Sequence, residues 1–322
     1  MKEMSTITDR FIGCLYGQAI GDALGLGTEF LTKDEVKAYY PNGLTRYDQI
    51  VRDNHRRRWH EADWTDDTDM MLCIASALVK HRGKVDDNTL YDIACNFRDW
   101  MQSPDCMGIG RLVYNILSID DYVEKPQEVA ELFWNMSNRH NAPNGGIMRT
   151  SVVGLLRNKD DIEIAAANIC KLTHYDPRCV GACVVASEII HALVYEDKQL
   201  TTFEIKEICQ RYDERMLAFI DLAKNSSDIN ELELDDEQTL GYTLKALSAS
   251  LWCLFHCESF TDGLLTVVNA GGDADTNAAI ACSMLGAKFG ASEIPIYYKE
   301  SLYKHIEYDG AINELVKVLL RG

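Results

Sequence analysis

Proline is scarce in this chain, 6 in 322 residues, and no Gly/Ser-rich or Pro-rich linker interrupts it. Domain boundaries tend to fall in such stretches, so one domain over residues 1–322 is expected. Positive charge is also short: 32 Lys and Arg face 50 Asp and Glu, for a net charge of −18. That balance excludes general nucleic-acid binding and adsorption to anionic membranes, both of which need clustered positive charge. The one basic run, Arg56-Arg57-Arg58, lies between Asp53 and Glu61 and reads as a solvated loop. The 11 cysteines form no C-x-x-C pair and no disulfide-scaffold spacing, as expected of reduced thiols in a cytoplasmic protein. Cys253, His256 and Cys257, and Cys179 and Cys183 near His174, are the soft-ligand groupings, and without a C-x-x-C pair a zinc site is disfavoured. Residues 1–10 carry charges of both signs and lack the apolar centre of a signal peptide. The longest apolar stretch, Cys179 to Tyr195, is interrupted by Ser187, Glu188 and His191. It falls short of the roughly 20 apolar residues a spanning helix requires, so no membrane is expected as a partner.

What the sequence does have is helical periodicity. Leu90, Ile93, Ala94, Phe97, Trp100 and Met101 share one helix face, which predicts a helix over Thr89–Met101. Ile162–Leu172, Arg178–Tyr195, Phe203–Lys224 and Thr239–His256 read the same way. Met70–Lys80 and Asn277–Phe289 are apolar or small all round, as buried helices are. No series of alternating strands stands beside them. The expected fold is all-α, a single compact bundle of about a dozen helices. Its first helix carries Gly13, Gly17, Gly21 and Gly25 every four residues. Glycine costs a helix about 0.5–1 kcal/mol relative to alanine, so the stripe predicts another backbone packed very close. Such packing would also hold the segment after Gly25, including Glu29, in a fixed place.

Two acidic motifs lie about 200 residues apart: Thr65-Asp66-Asp67-Thr68-Asp69 and Gly271-Gly272-Asp273-Ala274-Asp275-Thr276. Each precedes an apolar helical run. Asp and Thr are good N-caps, and acids suit a helix N-terminus. A cap needs one side chain, however, and the first motif has three Asp and two Thr. Clustered carboxylates repel by roughly 1–4 kcal/mol per pair at 4 Å, and a hard divalent cation converts that repulsion into coordination. Capping and metal binding both stand as readings. Asp22 reads as structural and Glu29 as a loop carboxylate. Asn144-Gly145-Gly146 and Gly108-Ile109-Gly110 are glycine turns of the kind that expose backbone N–H groups. His174 reads as a hydrogen-bonded structural histidine.

In order along the chain, these segments resemble the ADP-ribosylglycohydrolase family. The resemblance rests on Gly13 to Gly17, Gly21 to Gly25, Glu29, Trp64 to Thr68, Asn144 to Arg149, Thr173-His174, Gly271 to Thr276, Gly286 to Gly290 and Ile294-Pro295. It implies an all-α orthogonal bundle with a binuclear Mg²⁺ or Mn²⁺ centre. Thr65, Asp66, Asp67, Asp273, Asp275 and Thr276 match its ligands. Glu29 matches the mobile acid near the metals and the scissile bond, and Glu29, Asp66 and Asp67 are the candidate catalytic carboxylates. Gly108, Gly110, Asn144 and Gly145 look like the ADP-ribose-binding loops, and His174 is similar to a histidine near the ligand. The expected partner is an ADP-ribosylated protein or an ADP-ribose-containing small molecule. The expected activity is release of ADP-ribose from a modified acceptor, arginine favoured. The alternatives are hydrolysis of another ADP-ribose or nucleotide compound, and non-catalytic ADP-ribose binding. The chain departs from the pattern at Asp69 (usually Gln), Ala274 (commonly Thr), Pro143 (often Gly) and Cys282 (a small Gly). Asp69 is therefore expected outside the ligand set, as a supporting or helix-start acid.

Overall fold

The computed structural model describes residues 2–320. Its elements in chain order are α1 (Lys2–Gly25), α2 (Lys33–Tyr39), α3 (Asp66–Lys80), α4 (Asp87–Gln102), α5 (Arg111–Leu117), α6 (Pro126–Met136), α7 (Lys159–Cys170) and α8 (Pro177–Tyr195). They continue with α9 (Thr202–Gln210), α10 (Arg215–Asn225), α11 (Thr243–His256), α12 (Phe260–Val268), α13 (Ala274–Phe289), α14 (Ile296–Glu300) and α15 (His305–Leu315). No strand occurs among the described residues; two isolated bridges, Leu31 with Gly272 and Pro143 with Tyr242, are the extended pairings. The fold is all-α, as the periodicity predicts.

Local chemistry explains where several helices begin. Thr32 with Glu35 and Thr201 with Glu204 form capping boxes before α2 and α9. Asp86 caps α4 by accepting the N–H groups of Asn88 and Thr89. Asp176 caps α8, whose first residue is Pro177, where a missing N–H costs nothing.

Two expected helices differ from the structure. Phe203–Lys224 is two helices, because Asp213 Oδ1 accepts the backbone N–H of Arg215 at 2.9 Å and starts α10 afresh. The helix expected from Thr239 starts at Thr243, because Gly241 adopts φ +72°, outside the helical region. The apolar stretch is also longer than expected: α8, at 19 residues, is long and apolar enough to cross a membrane by length and composition alone. Of that window, 89% is buried inside the protein, so α8 serves here as a core helix.

The centre of the molecule is the antiparallel pair α1 and α13. A Cβ on Gly17 would lie 2.0 Å from the Cys282 carbonyl oxygen, and one on Gly21 would lie 2.2 Å from that of Ala278. Gly13 meets Gly286 and Gly25 meets Ala274 in the same way. The glycine stripe is therefore a seam of backbone on backbone, and the partner is the helix that follows the second acidic motif. Residues 274–287 of α13 are all buried, with α8, α11 and α12 packed around them. Because the pair is antiparallel, the C-terminal end of α1 meets the N-terminal end of α13.

Gly17→Ala is expected to destabilise the protein by about 1–3 kcal/mol or more, since the methyl group has only backbone to displace. Gly310→Ala, at an exposed position of α15 with no atom within 4 Å of its added methyl, is expected to stabilise by about 0.5–1 kcal/mol. Urea unfolding of both variants checks the contrast in sign.

Candidate active site

Two faces of α1 organise the site. Beside the glycine seam, each one residue after a seam glycine, Gln18 and Asp22 stand one turn apart. Asp22 Oδ1 accepts the N–H of Thr65 at 2.9 Å, and its Oδ2 accepts the N–H and hydroxyl of Thr68 at 3.0 and 2.6 Å. Gln18 Nε2 donates to the carbonyls of Asp67 and Met148 at 3.1 and 2.9 Å. The start of α3 is thus fastened to α1, with Thr65 as its N-cap and Asp66 and Asp67 in its first turn. Beyond Gly25, the chain turns and pairs with the second motif. Phe30 N–H donates to the Gly272 carbonyl at 2.7 Å, and Gly272 N–H donates to the Leu31 carbonyl at 2.8 Å. Gly272 has φ +73°, and a Cβ there would lie 2.0 Å from the Leu234 carbonyl oxygen, so this approach requires glycine.

The two acidic motifs therefore converge. Single carboxylate oxygens of Asp22, Asp67 and Asp275 lie within 4.8 Å of one another, and so do those of Glu29, Asp273 and Asp275. Asp275 belongs to both groups. A cleft of about 340 Å³ opens above them, walled by Glu29, Asp66, Asp67, Asp273, Asp275 and Thr276. Gly108, Gly110, Asn144, Gly145 and His174 line the same cleft. Of the residues matched to the catalytic, metal and ligand positions, Thr65 alone is outside the cleft lining. Its hydroxyl donates to Asp67 Oδ2 at 3.1 Å.

The electrostatics of this cluster are unfavourable as it stands. Burial, then the neighbouring charges, pushes the Asp66, Asp67 and Asp275 carboxyls well above the usual range. Burial raises Asp273 to about 6, with the charge of Glu29 adding to it. Burial raises Asp22 to about 7, against the hydrogen bonds from Thr65 and Thr68. Asp67 Oδ2 also accepts the Thr276 hydroxyl at 3.3 Å, while Asp67 Oδ1 is buried with no hydrogen-bond partner. Arg111, exposed at the rim, is the sole Lys or Arg lining the cleft among the described residues. A buried oxygen without a donor, inside a cluster of oxygen ligands without a counter-charge, fits a hard divalent cation.

The remaining residues have defined tasks. Asn144 Nδ2 donates to Asp273 Oδ2 at 2.7 Å, and its N–H donates to the Gly241 carbonyl at 2.8 Å. Pro143 leaves this loop intact: the flanking N–H groups of Asn144 and Thr243 make its bonds, the latter to Ala142 at 3.0 Å. Gly108 (φ +87°) presses its backbone on Asp66, where a Cβ would lie 2.6 Å from Oδ1. His174 is buried, and burial, then the charge of Arg149, holds its pKa well below the usual value. Its Nδ1 lies 2.7 Å from the Thr173 hydroxyl, which accepts from Arg149 at 2.5 Å. An arginine only donates, so the Thr173 proton is left for Nδ1 and the neutral ring carries its own proton on Nε2. A Cβ on Gly145 would lie 3.0 Å from that Nε2. Asp69 stands apart, accepting the indole N–H groups of Trp64 and Trp100 at 2.7 and 3.0 Å. It is a supporting acid of α3.

The basic run corrects the sequence reading. Arg56 is buried, not solvated, while Arg57 and Arg58 are exposed. Its Nε donates to the Leu26 carbonyl at 2.9 Å, its Nη2 to the Glu29 carbonyl, and its Nη1 to Asp53 Oδ2 at 2.5 Å. These acceptors satisfy a guanidinium that would otherwise stay in water. His55, Phe30 and Gly241 also belong to the site without having been singled out. The turn-forming Gly241, two residues before Thr243, was the one legible signal among them.

With this geometry in view, the relatives of the chain are informative. The family model for ADP-ribosylglycohydrolase matches residues 3–322. The chain belongs to the ADP-ribosylglycohydrolase family. It is 27% identical over 292 residues to ADP-ribosylarginine hydrolase Tri1 of Serratia proteamaculans, covering 89% of this chain and 73% of the relative. It is 26% identical over 304 residues to the ADP-ribosyl-[dinitrogen reductase] glycohydrolase of Rhodospirillum rubrum, covering 94% and 93%. A solved structure described as an ADP-ribosylglycohydrolase-related protein complex superposes with a TM-score of 0.74 at 21% identity, covering 98% of this chain and 100% of that one. That likeness shows a shared fold.

The raised carboxyl pKa values set a pH dependence for the protein in chelator. A carboxyl that keeps its proton longer when folded than when unfolded stabilises the fold at low pH. Thermal stability in EDTA is therefore expected to fall as pH rises from the ordinary value of 3.8 through about 6 and 7, where Asp273 and Asp22 ionise. Saturating Mg²⁺ or Mn²⁺ should flatten the profile. Calorimetric melting across pH checks this; a flat profile in EDTA contradicts it.

Proposed function

We propose that this protein is a divalent-metal-dependent glycohydrolase that releases ADP-ribose from a modified acceptor by hydrolysing the bond at C1″ of the distal ribose. The observation that carries the reading is the meeting of Glu29 with both acidic motifs in one cleft, as two carboxylate groups sharing Asp275. Asp66, Asp67, Asp273, Asp275, Thr65 and Thr276 would hold the cations. Two Mg²⁺ or Mn²⁺ ions bound there would supply positive charge to anchor ribose hydroxyls and to make water more acidic.

The protein's own groups account for the rest. Asp66 and Asp67, fixed in the first turn of α3, orient water on one side of the sugar. Glu29 takes a proton from water as its oxygen bonds to C1″, and returns a proton to the acceptor atom as the C1″–acceptor bond breaks. Asn144 holds Asp273, and the neutral His174 offers its Nε2–H to an oxygen of the ligand. The net charge of −18 leaves acidic surface beyond the residues that would hold the cations, which suits a cationic acceptor. The Serratia relative is named an ADP-ribosylarginine hydrolase, and ADP-ribosyl-arginine protein is the favoured substrate. Eleven free cysteines support the cytoplasm as its compartment.

The test uses ADP-ribosyl-arginine and ADP-ribosyl-serine proteins with Mg²⁺, with Mn²⁺ and with EDTA. Metal-dependent release of intact ADP-ribose is expected, with arginine preferred. Absence of release from both substrates sinks the hydrolase reading, and AMP or phosphate in place of ADP-ribose reassigns the bond. Asp66→Asn and Asp275→Asn should each reduce turnover by about 100-fold or more while leaving circular dichroism unchanged.

A further inference from the structure

The turn at residues 53–59 has no counterpart in either acidic motif, yet it grips Glu29 by both its backbone and its side chain. Asp53 Oδ1 accepts the N–H groups of His55 and Arg56 at 3.0 and 2.8 Å and so shapes the turn. Arg56 then donates to the Glu29 carbonyl. His55 Nε2 lies 2.6 Å from Glu29 Oε2, and Arg58 Nη2 lies 3.1 Å from His55 Nδ1. A guanidinium has no acceptor, so Nδ1 is unprotonated and accepts from Arg58. The ring proton is therefore on Nε2 and points at the Glu29 carboxylate.

The imidazole is held from two sides. Its centroid lies 5.3 Å from that of Phe30 and 5.2 Å from that of Trp59. Phe30 adopts φ +61°, a left-handed backbone conformation that side-chain-bearing residues rarely adopt. The hydrogen bond from its N–H to the Gly272 carbonyl keeps it there. The strained residue stands directly after Glu29, with its ring against the histidine that Glu29 bonds. Strain of this kind persists where the surroundings over-determine it, and it concentrates at functional sites.

We infer that His55 is a positioning residue for Glu29: its Nε2–H fixes the Glu29 carboxylate in the cleft, next to Asp273 and Asp275. The kinetic arm of the test rests on the glycohydrolase reading; the structural arm does not. His55→Phe keeps a flat ring between Phe30 and Trp59 and removes the donor. His55→Gln keeps an N–H donor and removes the ring.

His55→Phe should lower kcat on the ADP-ribosylated substrate by roughly 10- to 100-fold, as loss of an outer partner of a site residue does. KM, ADP-ribose affinity and melting temperature should stay as in wild type, and His55→Gln should recover most of the lost kcat. A crystal structure of His55→Phe should show the Glu29 carboxylate turned away from Asp273 and Asp275. Wild-type kcat in His55→Phe, no recovery in His55→Gln, or an unmoved Glu29 each overturns the inference. If wild type itself releases no ADP-ribose, the glycohydrolase reading fails, and the position of Glu29 in the variant still decides the role of His55.

Discussion

The backbone seam between α1 and α13 is the constraint on which the site depends. Four glycines in α1 each cost the helix about 0.5–1 kcal/mol in propensity. Side chains at those positions would force the two helices apart, because the atoms they would strike are carbonyl oxygens and backbone of α13. Closing the seam brings the end of α1 to the start of α13 and sets the register between them. Glu29, four residues past Gly25, then arrives beside Asp273 and Asp275. Asp22 and Gln18, on the same helix, fasten α3 and with it Asp66 and Asp67. One helix therefore sets the relative position of both acidic motifs.

That arrangement is electrostatically expensive. Clustered carboxylates repel, burial raises their pKa values, and Asp67 Oδ1 has no donor. Two devices within the protein reduce the strain. The N-termini of α3 and α13 both face the cluster, and their positive ends favour negative charge. Hydrogen bonds from Thr65, Thr68, Thr276 and Asn144 go to the carboxylates. A cap-only role would not place two such motifs against each other. A site that is acidic, buried and short of donors is the arrangement expected where cations complete the charge.

The helices were legible in the sequence because burial on one face writes a period of 3.6 residues. The glycine stripe was legible as a close contact, though not its partner, because a stripe does not name the backbone that fills it. The acidic clusters were visible as clusters. Their convergence came only from the family resemblance, since a contact across about 200 residues leaves no local pattern. Arg56 was misread because three consecutive arginines look solvated, while its acceptors, the carbonyls of Leu26 and Glu29, lie about 30 residues away in sequence. The break between α9 and α10 was hidden because apolar spacing continues across it and Asp213 starts the second helix by a local hydrogen bond. His55 gave no signal, since its role depends on where Glu29 lies.

The central claim is that the two acidic motifs and Glu29 form one cation site around Asp275. Its most direct test is anomalous diffraction from crystals soaked in Mn²⁺, recorded at the manganese edge. The account predicts two peaks in the cleft, one against Asp67 and one against Asp273, both within reach of Asp275. Clear density for these side chains with no anomalous peak between them, or manganese bound only elsewhere, would contradict it.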